Sequence, residues 1–441
     1  MRMRLLLSIL TLLLSSSLLT SCSTPQHQVG LPQEPVILPK EITDYDRALW
    51  ENSMHLYLQD DLWNEIYIYD AGHYVMLPMH VAFWANEDAW VNDIRDLMKR
   101  SVENLGDISD LPSSSGLLNW LQYAYLMSRY ITLEQAEPDL IVTLASYLDQ
   151  EVHRIWSKYP AWMWSREPFP NMRERVEWKL NCTDPQYSYY RCIFDQEIFV
   201  FAIAADLIFY DFSHNGVLTH VDTHRQISEY AYRVFVDRVS YTNENAWVFQ
   251  PGVWTDHGDY AYAGQRDKGT NLVKKPVPGI AEDSSHAHRM PLWLVSLRSI
   301  YQKDDEEYAY YDNLINGLGK QVVDNVLSYP TESFGGIRMT NYMDGSNGLY
   351  RWQYITAGND DGYGPYELSA TFLLGWWSFT NNNTIKGAYK QMIDLYPLSD
   401  AVIKTYVGPN TTRERNPWID VPDSLNKGLY ELICRLAAID Y

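Results

Sequence analysis

Two stretches far apart in the chain carry the same skeleton of ionisable residues. Asp283, His286 and Pro291 recur at the spacing of Asp70, His73 and Pro78, and each set runs into an apolar, aromatic segment. A short carboxylate at a helix start accepts the orphan amide of the second or third helical residue, so Asp283 and Asp70 are expected as N-caps. That spacing sets His286 and His73 in the first turn, where the positive helix end favours the neutral imidazole a general base needs. Pro291 and Pro78 fall past the first turn and predict a kink in each helix. Glu282, His288 and Arg289 flank the second copy. Two capped core helices with buried, hydrogen-bonded histidines would give the same pattern without any chemistry.

Other groups of the right type sit in loops. Trp254, Asp256, His257, Asp259, Tyr260 and Tyr262 lie in one aromatic, Gly-containing stretch, and Tyr363, Tyr366 and Glu367 precede a late apolar run. Two mechanisms use this material. In β-elimination from a uronic acid, His257 with Tyr260 or Tyr262, helped by His286 and Arg289, supplies the base, the acid and a counter-charge. Hydrolysis needs two facing carboxyls, about 5–5.5 Å apart for retention or about 6.5–9.5 Å for inversion. Glu282 or Asp283 opposite Asp70 or Glu367 meets that need. Asp70, His73, Trp254, His288, Tyr363, Tyr366 and Glu367 are candidate substrate contacts. Arg173 and Arg175, in a segment that also holds Arg166 and Arg191, are the cations available for an anionic sugar, unless they pair with Glu167, Glu174 and Glu177.

The histidines and acids include ligand types that zinc or manganese accepts, but their spacing matches no metal motif, and the four cysteines assemble no thiolate site. The expectation is therefore no metal and no organic cofactor. Asp344-Gly345-Ser346-Asn347 and Asn359-Asp360-Asp361 offer oxygens of a type calcium accepts, and are equally ordinary turn residues.

The elements that must position these groups read as helices. Half-polar segments (44–60, 90–98, 221–239, 308–327, 385–395) alternate with segments apolar on nearly all sides (66–84, 195–211, 366–377), and 162–190 breaks the rhythm with Pro, Arg and aromatic residues. Such alternation is what two concentric layers of antiparallel helices produce. The expected fold is all-α, an (α/α) double-layered helical toroid, incomplete or six-hairpin, with irregular loops and short strands at one mouth. No linker divides 40–441, which is read as one domain.

Arg2 and Arg4 precede the apolar run LLLSILTLLLSSSLLT, and Leu19-Thr20-Ser21-Cys22 closes it. This resembles a bacterial lipoprotein signal with its lipobox, which implies a signal peptide over 1–21, lipid on Cys22, a Pro/Gln/Ser-rich tether over 22–39, and an exported protein held at the outer membrane by its lipid. Cys182 and Cys192, ten positions apart in an exported chain, are expected to form a disulfide. The formal charge is −21. It argues against nucleic acid as a partner and makes a polyanion a less natural substrate. Sixteen Trp and 34 Tyr push modestly toward carbohydrate, whose ring faces stack on such side chains.

Helix alternation over most of 40–441, with Asp256-His257-Gly258-Asp259-Tyr260-Ala261-Tyr262, resembles the toroidal polysaccharide lyases and glycoside hydrolases. The resemblance implies a carbohydrate-active enzyme on a polysaccharide or oligosaccharide, first by β-elimination with His/Tyr acid–base groups and alternatively by paired-carboxylate hydrolysis. Asp256 departs from the lyase pattern, which has Asn beside the His. A third reading is a non-catalytic glycan-binding or assembly lipoprotein, with scattered aromatics and no convergence of His257, His286 and the acids.

Overall fold

A computed structural model describes residues 41–104, 114–164, 166–214, 216–243, 245–353, 362–409, 416, 418–419 and 423–440. The signal, Cys22, the tether and Asn359-Asp360-Asp361 lie outside them.

The described chain is mostly helical: α1 (Asp44–Leu49), α2 (His55–Gln59), α3 (Glu65–Tyr74), α4 (Met76–Ala85), α5 (Asp88–Asn104), α6 (Ser114–Leu133), α7 (Pro138–Ser157), α8 (Met172–Asn181), α9 (Asp195–Ser213), α10 (Val221–Arg238), α11 (Ser284–Ala287), α12 (Met290–Arg298), α13 (Glu306–Gln321), α14 (Asn383–Ile393), α15 (Asp400–Val407) and α16 (Leu429–Ala437). Three two-stranded antiparallel ribbons complete it: β1 (Ala161–Met163) with β2 (Arg166–Phe169), β3 (Val239–Asn243) with β4 (Ala246–Phe249), and β5 (Leu327–Ser328) with β6 (Arg338–Met339).

Helix burial follows the two kinds of pattern. In α5 only Trp90, Val91, Ile94, Leu97, Met98 and Ser101 are buried, one stripe at helical spacing. In α9 the run Asp195–Leu207 is buried on every side, because α6, α7, α10 and α12 all pack against it. The chain continues this way: α3 lies on α6, α6 on α9, α9 on α12, α12 on Trp376–Thr380, and α16 on α4. Cross-contacts give the direction. Gln122 of α6 meets Gly72 of α3 and Arg289 before α12, whereas Arg129 of α6 meets His80 of α4, Asp206 of α9 and Ser296 of α12. These central helices therefore run parallel, with their N-terminal ends on one side.

Several expectations are corrected here. Asp70 is not a cap: Asn64 accepts from Ile66 and Tyr67 and starts α3 six residues earlier. The proline-containing helices are each interrupted, at Val75 between α3 and α4 and at His288–Arg289 between α11 and α12, where the backbone keeps right-handed helical angles. The late apolar segment is not one helix but two 3-10 pieces, Ser369–Leu374 and Trp376–Thr380, divided by Gly375 at φ +80°, where a Cβ would overlap Leu77 Cδ2. The excursion 162–190 contains a regular helix, α8, capped by Asn171. The Cys182–Cys192 bridge is absent: both are free thiols, Cys192 buried with its Sγ 3.6 Å from Gln250 Nε2.

Candidate active site

At the N-terminal side of the parallel helices is a pocket of about 300 Å³. Its walls are Leu118, Trp162, Trp164, Phe194, Trp254, Tyr260 and Tyr350, and its polar groups are Asp195, Gln196, His257, Asp259, Glu282, Asp283, His286 and Arg351. Leu118 comes from the start of α6, Asp195 and Gln196 from the first turn of α9, and 282–286 from the entry to α11.

Asp283 is the N-cap that the sequence predicts, accepting from the amides of Ser285 and His286. The same carboxylate holds His286 Nδ1 at 2.8 Å and the Tyr260 hydroxyl at 2.8 Å. Burial alone would raise the Asp283 pKa, but His286 and the Ser285 hydrogen bonds outweigh it and hold the carboxyl well below the usual range. The expectation of a neutral His286 is corrected by the same contact. Burial opposes its charge, yet Asp283 and Asp195 win and push its pKa up to about 9. The effect of the helix end on the ring is overridden because the capping carboxylate touches it. With Nδ1 on Asp283, Nε2–H is left for the half-buried, pocket-facing side of the ring.

Glu282, one residue away, has the opposite fate. It is 5% exposed, its carboxyl makes no hydrogen bond among the described residues, and burial first, then the nearby Asp195 charge, push its pKa up to about 8. Two adjacent acids are thus driven apart, one ionised and one protonated at neutral pH, a pattern that separates acid from base in acid–base catalysis.

Asp195 lines the same pocket as Glu282 and is held by Arg289, whose Nη1 lies 2.5 Å from Oδ2. Asp195 Oδ1 makes no hydrogen bond among the described residues. Arg289 itself is 2% exposed and does not line the pocket. Its Nε donates to Gln122 Oε1 at 2.9 Å and to His73 Nε2 at 3.1 Å, and Nη2 donates to Tyr69 Oη at 2.7 Å. Gln122 reaches this position because Gly72 has no side chain: a Cβ there would stand 2.7 Å from the Gln122 carbonyl oxygen.

His257 lines the pocket with its pKa lowered by burial, Arg351 adding to the effect against Asp259. Its Nδ1 accepts the Asp259 amide at 3.2 Å, so in the neutral ring the proton sits on Nε2. The ring therefore offers a donor, not the lone pair of a base. Tyr260 stacks on Trp254 at 5.3 Å, and burial and Asp283 push its phenol well up, so it stays a protonated prop for Asp283. Asp256 turns away and caps the 188–191 turn through Ser188 N at 2.8 Å and Ser188 Oγ at 2.6 Å.

The remaining sequence candidates lie outside the pocket. Tyr262 donates to Gln353 at 2.9 Å. His288 is buried with Nδ1 on the Ser285 carbonyl, and His73 and Asp70 are buried in α3. Glu367 pairs with Lys268 at 2.7 Å, Tyr363 exchanges backbone bonds with Tyr350, and Tyr366 lies under Arg338. Arg173 pairs with Glu174 on the surface. Arg175 is sealed with Lys179 against Glu197, and both cations stand over the Phe194 ring. Sequence reasoning missed Asp195, Gln196, Phe194, Trp162, Trp164, Tyr350 and Arg351 as pocket residues. A polar pair, Asp195-Gln196, opening a mostly apolar helix was the available signal for the first two.

Among the described residues no group of three or more His, Cys, Asp or Glu is arranged to hold a metal ion. The proposed calcium turn uses its oxygens internally: Asp344 accepts from Ser346 N and Ala281 N, and Asn347 Oδ1 from Asn341 N and Tyr366 N. No described helix is long and apolar enough to cross a membrane. Neither a family model, nor a curated protein, nor a solved structure matches the chain.

Proposed function

We propose that this protein hydrolyses a glycosidic bond, with Glu282 as the proton donor and Asp195 as the opposing carboxylate. The observation that carries the reading is one pocket lined by a buried, protonated carboxyl free of hydrogen bonds to the described residues and by a second carboxylate pinned by an arginine. Glu282 gives its proton to the glycosidic oxygen as the bond from C1 breaks. Water adds to C1 and its proton passes to Asp195; transfer of one proton back to Glu282 through solvent resets the pair. Trp162, Trp164 and Trp254 are suited to apolar sugar faces, and the Nε2–H groups of His257 and His286 to hydroxyls. Hydrolysis is preferred to elimination because His257 and Tyr260 are both committed as donors, so neither serves as the neutral base.

Elimination at a uronate is the second reading, favoured by one observation. His286 and Arg351 line the pocket, each beside an aspartate, and with the N-terminal ends of α6 and α9 they are groups suited to a uronate carboxylate. We read the helix packing as a double-layered toroid with this pocket at one mouth, and the mature chain as a lipoprotein anchored through Cys22 at the outer membrane. Cys22→Ala should then release the protein from membrane fractions.

The test is a panel of neutral and uronate oligosaccharides. Hydrolysis gives new reducing ends without an ultraviolet-absorbing unsaturated product, and Glu282→Gln slows their release about 10²–10⁴-fold. An unsaturated product assigns elimination instead. Binding without cleavage of any member assigns the glycan-binding reading.

A further inference from the structure

The aromatic wall of the pocket continues past its rim. Trp164 is where the two parts join. On the inner side its ring centroid lies 5.4 Å from Phe194, 6.0 Å from His257 and 6.4 Å from Trp254, all pocket residues. On the outer side it lies 5.9 Å from Trp162 and 5.0 Å from Tyr189, and Tyr187 stacks on Tyr189 at 5.3 Å with an interplanar angle of 18°. Tyr189 also meets His257 at 4.8 Å, so the outer row is continuous with the pocket lining. Both ends of the row are open to solvent: Trp162 is 41% exposed and Tyr187 is 40% exposed.

The two segments that carry these rings are fastened from below. Buried Arg175 donates through Nη1 to the Trp162 carbonyl at 2.6 Å while its Nε holds Glu197 at 2.9 Å, which fixes β1 to the start of α9. Asp256 accepts from the Ser188 amide at 2.8 Å and the Ser188 hydroxyl at 2.6 Å, which ties the turn bearing Tyr187 and Tyr189 to the His257 loop. Trp164 itself sits at φ +38°, a conformation that strains a residue with a side chain. Single exposed aromatics are ordinary, but a pre-positioned row that begins in a pocket and includes a strained tryptophan calls for a ligand.

Resting on the glycosidase reading of the pocket, we propose that Trp162, Trp164, Tyr189 and Tyr187 form an outer track along which a linear oligosaccharide continues out of the pocket. The substrate is then a chain rather than a small glycoside. A sugar ring has an apolar C–H face edged by hydroxyls, and Trp and Tyr present the matching surface, a flat apolar face with an N–H or O–H at its edge. The pocket holds the units beside the cleaved bond, and the track holds the units beyond them.

The test is titration of the whole protein carrying Glu282→Gln, which slows cleavage, followed by tryptophan fluorescence and calorimetry. The probes are linear β-1,4-linked oligomers of glucose, xylose, mannose and galacturonate, from dimer to hexamer. In the series that binds, the hexamer should bind about tenfold or more tightly than the dimer, and Tyr187→Ala should bring it within about threefold of the dimer. Tyr187→Phe, which keeps the ring, should retain the gain. An affinity that does not grow with length, a gain that survives Tyr187→Ala, a loss equal for dimer and hexamer, or no binding by any series overturns the track. Length-dependent binding with no cleavage by the native protein sinks the hydrolase reading and leaves the track standing. Cleavage without a length gain does the reverse.

Discussion

At 283 the aspartate precedes its helix, and at 70 the same residue stands inside one. That offset separates the two copies of the motif. Asp283 caps α11, so His286 comes out at the helix entry with one side toward the pocket. In the first copy α3 begins at Glu65 under an Asn64 cap, which carries Asp70 and His73 down the helix into its buried face. His73 then serves as an acceptor for Arg289 rather than as a group facing a ligand. Identical spacing thus gives one imidazolium beside a carboxylate and one neutral ring in a packed network. Where a helix starts decides between them.

The largest break in this comparison should come from Glu282→Gln, next to the second copy. Turnover should fall about 10²–10⁴-fold with the fold intact, measured as reducing ends released from the substrate the panel identifies. A residual rate within tenfold of the native one would remove Glu282 as the donor.

Next in size is stability. Asp283→Ala removes the cap together with the buried partner of His286 and Tyr260, and should cost about 3–5 kcal/mol. His73→Leu leaves Arg289 Nε with Gln122 alone and should cost about 1–3 kcal/mol. Urea unfolding orders the two, and equal costs would mean that the copies do not differ as described.

The sharper form of the same contrast is its pH dependence. The folded-state pKa of His286 is raised from 6.5 to about 9, so the stability it adds is fully present below pH 6.5 and lost as pH rises through about 9. The native protein's advantage over His286→Gln should therefore shrink across that window. On the acid side it should persist until Asp283 protonates, well below the ordinary carboxylate range. A constant difference between pH 6 and 10 would contradict the ion pair.

The smallest effect belongs to a residue of the aromatic loop. Tyr262→Phe loses one hydrogen bond to Gln353 and should change turnover by less than about twofold and stability by about 0.5–1.5 kcal/mol.

Much of the helical layout was legible, because hydrophobic period separates elements buried on one stripe, such as α5, from those buried all round, such as α9. So were Trp254, His257, Tyr260, Glu282, Asp283 and His286, whose types are dense in chemistry and which share one pocket. Asp195 and Arg351 were not, since each gains its place only from partners 94 and 92 positions away, Arg289 and Asp259. Local spacing carries no record of such a meeting. The charge on His286 was misjudged for a related reason: a general helix-end effect was weighed without the specific carboxylate that touches the ring. Arg175 looked available for an anionic sugar, and only packing reveals it sealed against Glu197.

The bare α-carbon of Gly72 has one more implication. Because α3 and α6 approach there main chain to main chain, the root of the Gln122 side chain that reaches the guanidinium is set by backbone geometry. A single added methyl at that contact, outside the pocket lining, would open the calliper and shift the arginine that pins Asp195.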